Sequence, residues 1–252
     1  MTVGEILRLR YSKHGKVVWT SHRDAARIWE RALRRAGLPL AYSEGFTPRA
    51  RLSFGLALPT GAASDAEYLD IVLEGSAGDV GGLAPRLGAM LPEGFGVDRV
   101  ARLDPGEPSL QEAVTSCSWE IELDGSWDRH ALAGLCAEVL AAPALPVERE
   151  RKGRTSTDDL RPAVLTLAPS EAMAPAGATV APAAISVELA TQPRGVRPGE
   201  LETVLRQAGP LSVRPAFRRC RRTHQWITRD GVRREPLAAA LPGAPRAQGR
   251  AS

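Results

Sequence analysis

The chain has 252 residues and a formal net charge of +4, and this length allows one large domain or two small ones. It has no run of about 20 consecutive apolar residues and no signal-peptide core, so we expect a cytoplasmic protein without a membrane span. The three cysteines, Cys117, Cys136 and Cys220, are too dispersed for a disulfide framework or a recognisable metal site. We therefore expect no metal and no cofactor, and we exclude an enzyme that holds its own iron–sulfur cluster.

Charge is distributed in blocks along the chain. Residues 1–61 contain eleven basic and four acidic residues, whereas residues 62–124 contain three basic and thirteen acidic residues. Residues 214–234 are basic again, with eight arginines and one aspartate. These blocks predict a surface with separate positive and negative regions.

Hydrophobic periodicity predicts two successive sets of elements. Within residues 1–104, strands are predicted near 7–11, 52–58, 69–74 and 97–103, with helices at 21–37 and 80–91. Within residues 109–228, strands are predicted near 119–123, 161–167, 185–189 and 211–217, with helices near 132–139 and 198–209. Both sets have the order β-α-β-β-α-β.

This order predicts an α+β fold of two tandem ferredoxin-like (βαββαβ) units with antiparallel sheets. The first unit is predicted over residues 1–104 and the second over residues 109–228, with a Pro/Gly/Glu linker at 104–108. The alternative is one irregular α+β domain. Residues 229–252 lack periodicity and are rich in Pro, Ala, Arg and Gly, so we expect a disordered tail there.

The start of the first predicted helix contains Ser21, His22 and Asp24. Ser21 and Asp24 have the spacing of a capping box, in which both side chains satisfy free amides of the first turn. A serine, a histidine and an aspartate also invite a catalytic interpretation, with His22 as the candidate acid or base. Because capping already explains Ser21 and Asp24, we predict no catalytic residue.

Arginines line one side of the same helix, opposite its apolar stripe. Arg23, Arg27, Arg31 and Arg34 follow one another at spacings of four, four and three residues, and Arg35 is adjacent. Only Glu30 is placed to neutralise this face, through a pair with Arg34. Such a run is ordinarily a solvated face, but uncompensated arginine also suits RNA.

The segment after this helix, residues 42–49, is predicted to form a stiff loop. Gly45 permits a positive φ, and Pro48 fixes its own φ. Phe46 offers a ring for base stacking, while Arg49 and Arg51 offer phosphate contacts. The alternative is a turn with Phe46 in the core. The candidate RNA-contacting residues are thus Arg23, Arg27, Arg31, Arg34, Arg35, Phe46, Arg49 and Arg51.

A second charged segment spans residues 149–162, where four basic residues precede Asp158, Asp159 and Arg161. It is either a basic hairpin that contacts phosphates or a solvated edge whose charges discourage sheet-to-sheet association. Asp159 and Arg161 belong to a short motif, Asp-Leu-Arg-Pro at 159–162.

Several of these strings resemble a known family. The strings are YSKHGK at 11–16, SHRD at 21–24, ERALRRAGLP at 30–39, YSEGFTP at 42–48, EYLD at 67–70, LPEG at 91–94 and DLRP at 159–162. They resemble the radical SAM-linked protein family, a domain of unknown function, over most of residues 5–222. Where that family often has Asn and a basic or His-Pro pair after Gly-Phe, this chain has Thr47, Arg49 and Ala50.

Members of that family occur beside, or fused to, a radical S-adenosylmethionine protein with a cobalamin-binding-type domain. The resemblance therefore implies an accessory protein that presents a substrate, with structured RNA as the candidate, to a radical S-adenosylmethionine enzyme. One alternative is a metal-independent RNA-processing enzyme that uses His22, by analogy with other tandem ferredoxin-like proteins. Another is a purely structural adaptor whose charge blocks pair with the enzyme.

Overall fold

The computed structural model describes residues 4–104, 106–125, 127–151, 153–171, 183–208 and 215–237. Its strands are β1 Ile6–Lys13, β2 Leu52–Phe54, β3 Ala63–Val72, β4 Phe95–Arg102, β5 Ser116–Leu123, β6 Pro146–Arg151, β7 Arg154–Asp159, β8 Val164–Glu171, β9 Ala183–Ala190, β10 Phe217–Arg229 and β11 Val232–Arg234. Its helices are α1 His22–Arg35, α2 Leu83–Gly88, α3 Leu110–Ala113, α4 Arg129–Ala141 and α5 Pro198–Ala208. Two 3-10 helices span Gly15–Trp19 and Arg161–Ala163.

Nine strands form one continuous sheet in the order β4-β1-β3-β10-β5-β9-β8, with β2 beside β3 and β11 beside β10. The pairs are antiparallel, apart from a short parallel pairing of β3 with β10 that involves Ala63 with Arg221 and Ser64 with Arg222. The fold is therefore mixed α+β with a mostly antiparallel sheet, as predicted. In residues 4–104 the order is β4-β1-β3-β2, and in residues 116–229 it is β10-β5-β9-β8.

Several local predictions differ from the structure. The strand predicted at 161–167 begins only at Val164, because residues 161–163 form a 3-10 helix. Strands β6 and β7 form a separate two-stranded hairpin, which the periodicity missed because Val147 is its only buried apolar side chain among those described. The last predicted strand at 211–217 is displaced, since β10 begins at Phe217 and runs to Arg229, and residues 211–214 lie outside the described residues. Residues 229–237 include β11 instead of belonging wholly to a disordered tail. Residues 238–252 lie outside the described residues.

Two main hydrophobic clusters underlie the helices. One packs α1 and α2 against β1 and β3, with Leu9, Trp29, Leu33 and Ile71 fully buried. The other packs α4 and α5 against β5 and β9. Because side chains alternate along a strand, the residues between these apolar positions face the opposite side of the sheet. There a smaller cluster joins Ala66, Tyr68 and Leu110 with Leu237.

A buried ion pair connects the two parts of the sheet. Arg222 of β10 is 1% exposed, and its guanidinium donates to the Glu67 carboxylate of β3 at 2.7–2.9 Å. It also donates to the Leu56 carbonyl at 2.8 Å and lies 5.3 Å from the Trp119 ring centre. Burial lowers the pKa of Arg222, but Glu67 and Cys117 together outweigh this effect and raise that pKa above its ordinary value.

We expect Glu67→Gln to destabilise the protein by about 3–5 kcal/mol, because it leaves the Arg222 guanidinium buried without a counter-charge. Urea unfolding followed by circular dichroism measures this loss. Glu122→Gln is the matched control, since its partner Arg219 lies 3.8 Å away with a side chain 62% exposed. The control should lose less than about 1 kcal/mol. Equal losses in the two variants would contradict a special role for the buried pair.

Candidate functional site

Helix α1 begins at the predicted cap. The Ser21 hydroxyl oxygen accepts from the Asp24 amide at 3.2 Å and donates to the Asp24 carboxylate at 2.7 Å. The Asp24 carboxylate thus accepts a hydrogen bond from the Ser21 hydroxyl, whereas the sequence predicted that it would accept one from the Ser21 backbone amide. His22 is exposed and meets the Phe54 ring edge-on at 5.0 Å. Ser21 and Asp24 therefore cap the helix, whereas His22 packs beside Phe54.

The predicted arginine face of α1 is exposed and only partly neutralised. Arg34 pairs with Glu30 at 2.5 Å, and Arg27 pairs with Asp24 at 3.3 Å. Arg35 donates to the Met90 carbonyl. Within the described residues, Arg23 and Arg31 have no hydrogen-bond or ion-pair partner. The unneutralised charge on this face therefore lies mainly at these two positions.

The loop after α1 is closed at its base and exposed at its tip. The Ser43 amide donates to the Arg49 carbonyl at 2.9 Å, and the Ser43 hydroxyl accepts from the Arg49 amide at 3.1 Å. Gly45 adopts φ +115°, a conformation that favours glycine. Phe46 is wholly exposed, at 110% of its reference area, and Pro48 is exposed as well. The alternative with Phe46 in the core is therefore wrong.

The helix face and the loop are in direct contact. Arg34 donates to the Tyr42 hydroxyl at 3.0 Å, and its guanidinium lies 5.5 Å from the Tyr42 ring centre. Arg49 and Arg51 are exposed, and their side chains contact no partner within the described part of the chain. We call the exposed arginines of α1 and the exposed residues of this loop the α1–loop surface. It consists of Arg23, Arg27, Arg31, Arg34, Phe46, Arg49 and Arg51.

The motif at 159–162 has a structural role. The Asp159 carboxylate accepts from the amides of Leu145 and Arg161 at 2.7 and 2.9 Å, and these hydrogen bonds lower the pKa of Asp159. The Arg161 guanidinium donates to the carbonyls of Leu140 and Val164. Together the two side chains connect the base of the β6–β7 hairpin to the end of α4.

Residues 149–162 were predicted to form either a basic hairpin that contacts phosphates or a solvated edge. A hairpin is present, but carboxylates of the same chain neutralise Arg149, its first arginine. Arg149 pairs with Glu200 of α5 at 2.7 Å and with Asp158 at 3.6 Å. Lys152 lies outside the described residues, as do the side chains of Arg151 and Arg154. Because both of its partners are carboxylates of this chain, Arg149 gives no support to phosphate binding by the hairpin.

The cysteines are poorly suited to chemistry. Burial raises the pKa of Cys117 and of Cys136 to about 11 and that of Cys220 to about 12, so these thiols stay protonated near neutral pH. Among the described residues, no group of three His, Cys, Asp or Glu side chains could hold a metal ion. None of the described helices is long and apolar enough to cross a membrane.

One feature escaped the sequence analysis: a cavity of about 710 Å³ between the first and second halves of the chain. Its wall includes Trp19 and Gly61 from the first half and Glu122, Arg219 and Arg221 from the second half. These residues are widely separated in sequence and form no motif. The charge block at 214–234 was the one available signal, because it contributes the arginines of the wall.

We expect Ser21→Ala to cost about 0.5–2 kcal/mol of stability, because the α1 amide at Asp24 loses its acceptor. Urea unfolding measures the loss, while any ligand binding by the folded variant should stay unchanged. Thr203→Ala is a suitable control, since Thr203 only donates to the Gly199 carbonyl within α5. Lost function at unchanged stability would instead favour catalysis by Ser21.

Comparison with known proteins identifies a family and a distant structural likeness. No curated protein matches the chain. A chain of the structure titled "Crystal Structure of a Cbf5-Nop10-Gar1 Complex" is 12% identical, with a TM-score of 0.46. The likeness covers 88% of this chain and 49% of the other, so this protein spans about half the length of that relative. The family described as "Uncharacterized protein conserved in bacteria (DUF2344)" matches residues 7–198. Since this match covers well over half of the chain, the protein belongs to the DUF2344 family.

Proposed function

We propose that this protein is an RNA-binding accessory protein that presents its substrate to a radical S-adenosylmethionine enzyme and performs no radical chemistry itself. The observation that carries the RNA part is the wholly exposed Phe46 at the tip of a closed loop. Arg49 and Arg51 follow it in the chain and have no side-chain partner among the described residues. A solvent-exposed ring of this kind forgoes the roughly 1.5–3 kcal/mol that burial of a Phe side chain provides. A loop that is closed at its base and carries an exposed ring is a favoured place for binding.

The α1–loop surface combines the two interactions that single-stranded or looped RNA uses. Guanidinium groups bind phosphates in a bidentate manner, and an aromatic ring stacks on bases. Arg23 and Arg31 are eight residues apart, which corresponds to about 12 Å along the helix axis. This separation allows contacts with more than one phosphate, while Phe46 reaches a base beside them.

We also infer that each half of the chain is a ferredoxin-like unit, with the division at residues 104–109. The support is the strand order, in which the fourth strand lies beside the first and the third lies between the first and second in both halves. The β6–β7 hairpin is then an insertion between α4 and β8 of the second unit.

The enzyme partner is proposed from the sequence resemblance, whose densest part includes residues 42–48. The chemistry of this chain is in keeping with an accessory role, because its cysteine thiols are buried or half-buried and have raised pKa values. The alternative of a stand-alone RNA-processing enzyme is weaker, since His22 contacts Phe54 and not a second catalytic group.

The arginine contribution is tested with the triple variant Arg23→Gln, Arg31→Gln and Arg49→Gln. We expect the slope of log affinity for a small structured RNA against log salt to flatten by about two to three, because up to three phosphate contacts are lost. The matched control replaces Arg197, Arg206 and Arg229, three exposed arginines of the second half, by Gln. It removes the same charge and should leave the slope nearly unchanged.

In the same assay Phe46→Ala should weaken binding by roughly 1–3 kcal/mol without changing the slope, since stacking releases no counterions. Phe46→Leu keeps apolar area without the ring and should bind RNA almost as weakly as Phe46→Ala does. Full affinity in Phe46→Leu would indicate an apolar protein contact in place of base stacking. If the wild-type protein binds RNA no better than a neutral protein of similar size, the RNA proposal fails.

The partner is tested by anaerobic purification of the tagged protein from its native host. We expect a radical S-adenosylmethionine enzyme, identified by mass spectrometry and by its iron–sulfur absorbance, to co-purify with it. The arginine triple variant should retain this enzyme but lose RNA. Recovery of the enzyme without RNA would favour the structural adaptor, whereas RNA without the enzyme would contradict the partner proposal alone.

A further inference from the structure

The cavity between the two halves is lined by chemically distinct groups. The 3-10 helix Gly15–Trp19 and the start of β3 form one wall, and β5 with the start of β10 forms the other. The side chains that bear polar or aromatic groups include His14, Trp19, Glu120, Glu122, Arg219 and Arg221. Only the 3-10 helix lies close in sequence to the α1–loop surface, so the cavity is a separate site.

Trp19 is exposed but firmly positioned. Its side chain is 72% exposed, while one part of its ring packs on Gly61, where an added Cβ would lie only 2.9 Å from the ring. Gly61 has φ +89° and its amide donates to the Val18 carbonyl at 2.9 Å. The buried Lys13 ammonium donates to the carbonyls of Val18 and Thr20. The backbone on both sides of Trp19 is therefore fixed, and the ring is held at the cavity.

Some charged groups of the cavity wall already have close partners within the protein, and others do not. Arg221 and His14 both contact the Asp65 carboxylate, at 3.0 Å each. The Ser170 hydroxyl donates to the Glu120 carboxylate. In contrast, Arg219 contacts Glu122 only at 3.8 Å, and Arg218 is exposed without a partner within the described part of the chain. Arg218 is thus unpaired among the described residues, and Arg219 and Glu122 are paired only with each other at 3.8 Å, so these three side chains can turn to a ligand.

We propose that this cavity binds a single nucleotide whose base carries an amino group. The base stacks on Trp19, its amino group donates to Glu122, and its phosphate contacts Arg218 and Arg219. A bare anion would not need the ring, and an apolar ligand would leave the carboxylates and guanidinium groups without partners. The volume of about 710 Å³ lies within the range of roughly 300–1,000 Å³ for small-ligand sites.

This proposal rests on the proposed function where the nucleotide is part of an RNA. Trp19 precedes the α1 cap Ser21 by two residues, so the cavity adjoins the start of the α1–loop surface. An RNA that lies along α1 can place an unpaired nucleotide in the cavity, as proteins that extrude a base do. A free nucleotide has the same chemistry, and the experiment distinguishes these two sources.

The test titrates the full-length protein with CMP, GMP and UMP by calorimetry at low salt. We expect CMP and GMP to bind at least tenfold more tightly than UMP, which lacks an exocyclic amino group. Trp19→Ala should weaken CMP and GMP binding at least tenfold, and Trp19→Phe should restore part of it. Leu165→Ala is the matched control, because it removes an exposed apolar side chain that does not line the cavity and should leave mononucleotide binding unchanged.

A second arm measures structured RNA with the same variants, after urea unfolding has shown unchanged stability. A parallel loss of RNA affinity in Trp19→Ala supports an RNA nucleotide as the ligand, even if mononucleotides bind weakly. Mononucleotide binding that depends on Trp19, with RNA affinity unchanged, supports a free nucleotide. Absence of mononucleotide binding together with unchanged RNA affinity in Trp19→Ala overturns the cavity proposal, while the α1–loop proposal stands.

Discussion

The buried contact between Arg222 and Glu67 is the interaction on which the arrangement of the two halves depends. The parallel pairing of β3 with β10 involves only two pairs of residues, so backbone hydrogen bonds contribute little to this junction. Hydrogen bonds from side chains supply further contacts between β3 and β10. Ser64 donates to the Arg222 carbonyl at 3.2 Å, and Gln225 donates to the Ala66 carbonyl at 2.7 Å. A junction made of polar groups tolerates few alternative registers, because a shifted register would leave buried charge unpaired.

The location of both candidate sites follows from this junction. The cavity takes one wall from each half, so its shape depends on the relative position of β3 and β10. The α1–loop surface lies wholly within the first half and depends instead on the cap at Ser21 and on the contact between Arg34 and Tyr42. The two sites therefore respond to different mutations, although they are neighbours along the chain at residues 19–23.

The features that were predictable from sequence are those specified by neighbouring residues. The extent of α1 follows from a cap and an apolar stripe within 16 residues, and the strand alternation near Leu7 and Ile121 follows from burial on one face. The course of β10 was not predictable, because its buried positions include Arg222 and Gln225. These polar residues are buried only because of partners about 155 residues away, and no local pattern shows such partners.

The exposure of Phe46 was also undecided by sequence, since a Phe in a short loop can pack inward or outward. Its outward placement accompanies the closure of the loop between Ser43 and Arg49, which continues the bridge between Tyr42 and Ala50. The cavity was missed for a related reason. Its residues belong to five separate segments, and no single one of these has an unusual composition apart from the arginines of β10.

The contact of residues 235–237 with Tyr68 makes the two halves unlike on the side of the sheet that faces away from the helices. Glu235 and the Leu237 carbonyl lie 3.4 and 3.5 Å from the Tyr68 hydroxyl, and α3 adds Leu110 beside it. In the first half this side is closed, with Arg8 and Tyr68 each 1% exposed. The corresponding side of the second half keeps Ser118, Glu120 and Glu122 half-buried. Within the described residues, two similar strand arrangements thus present one closed surface and one half-exposed surface on this side of the sheet.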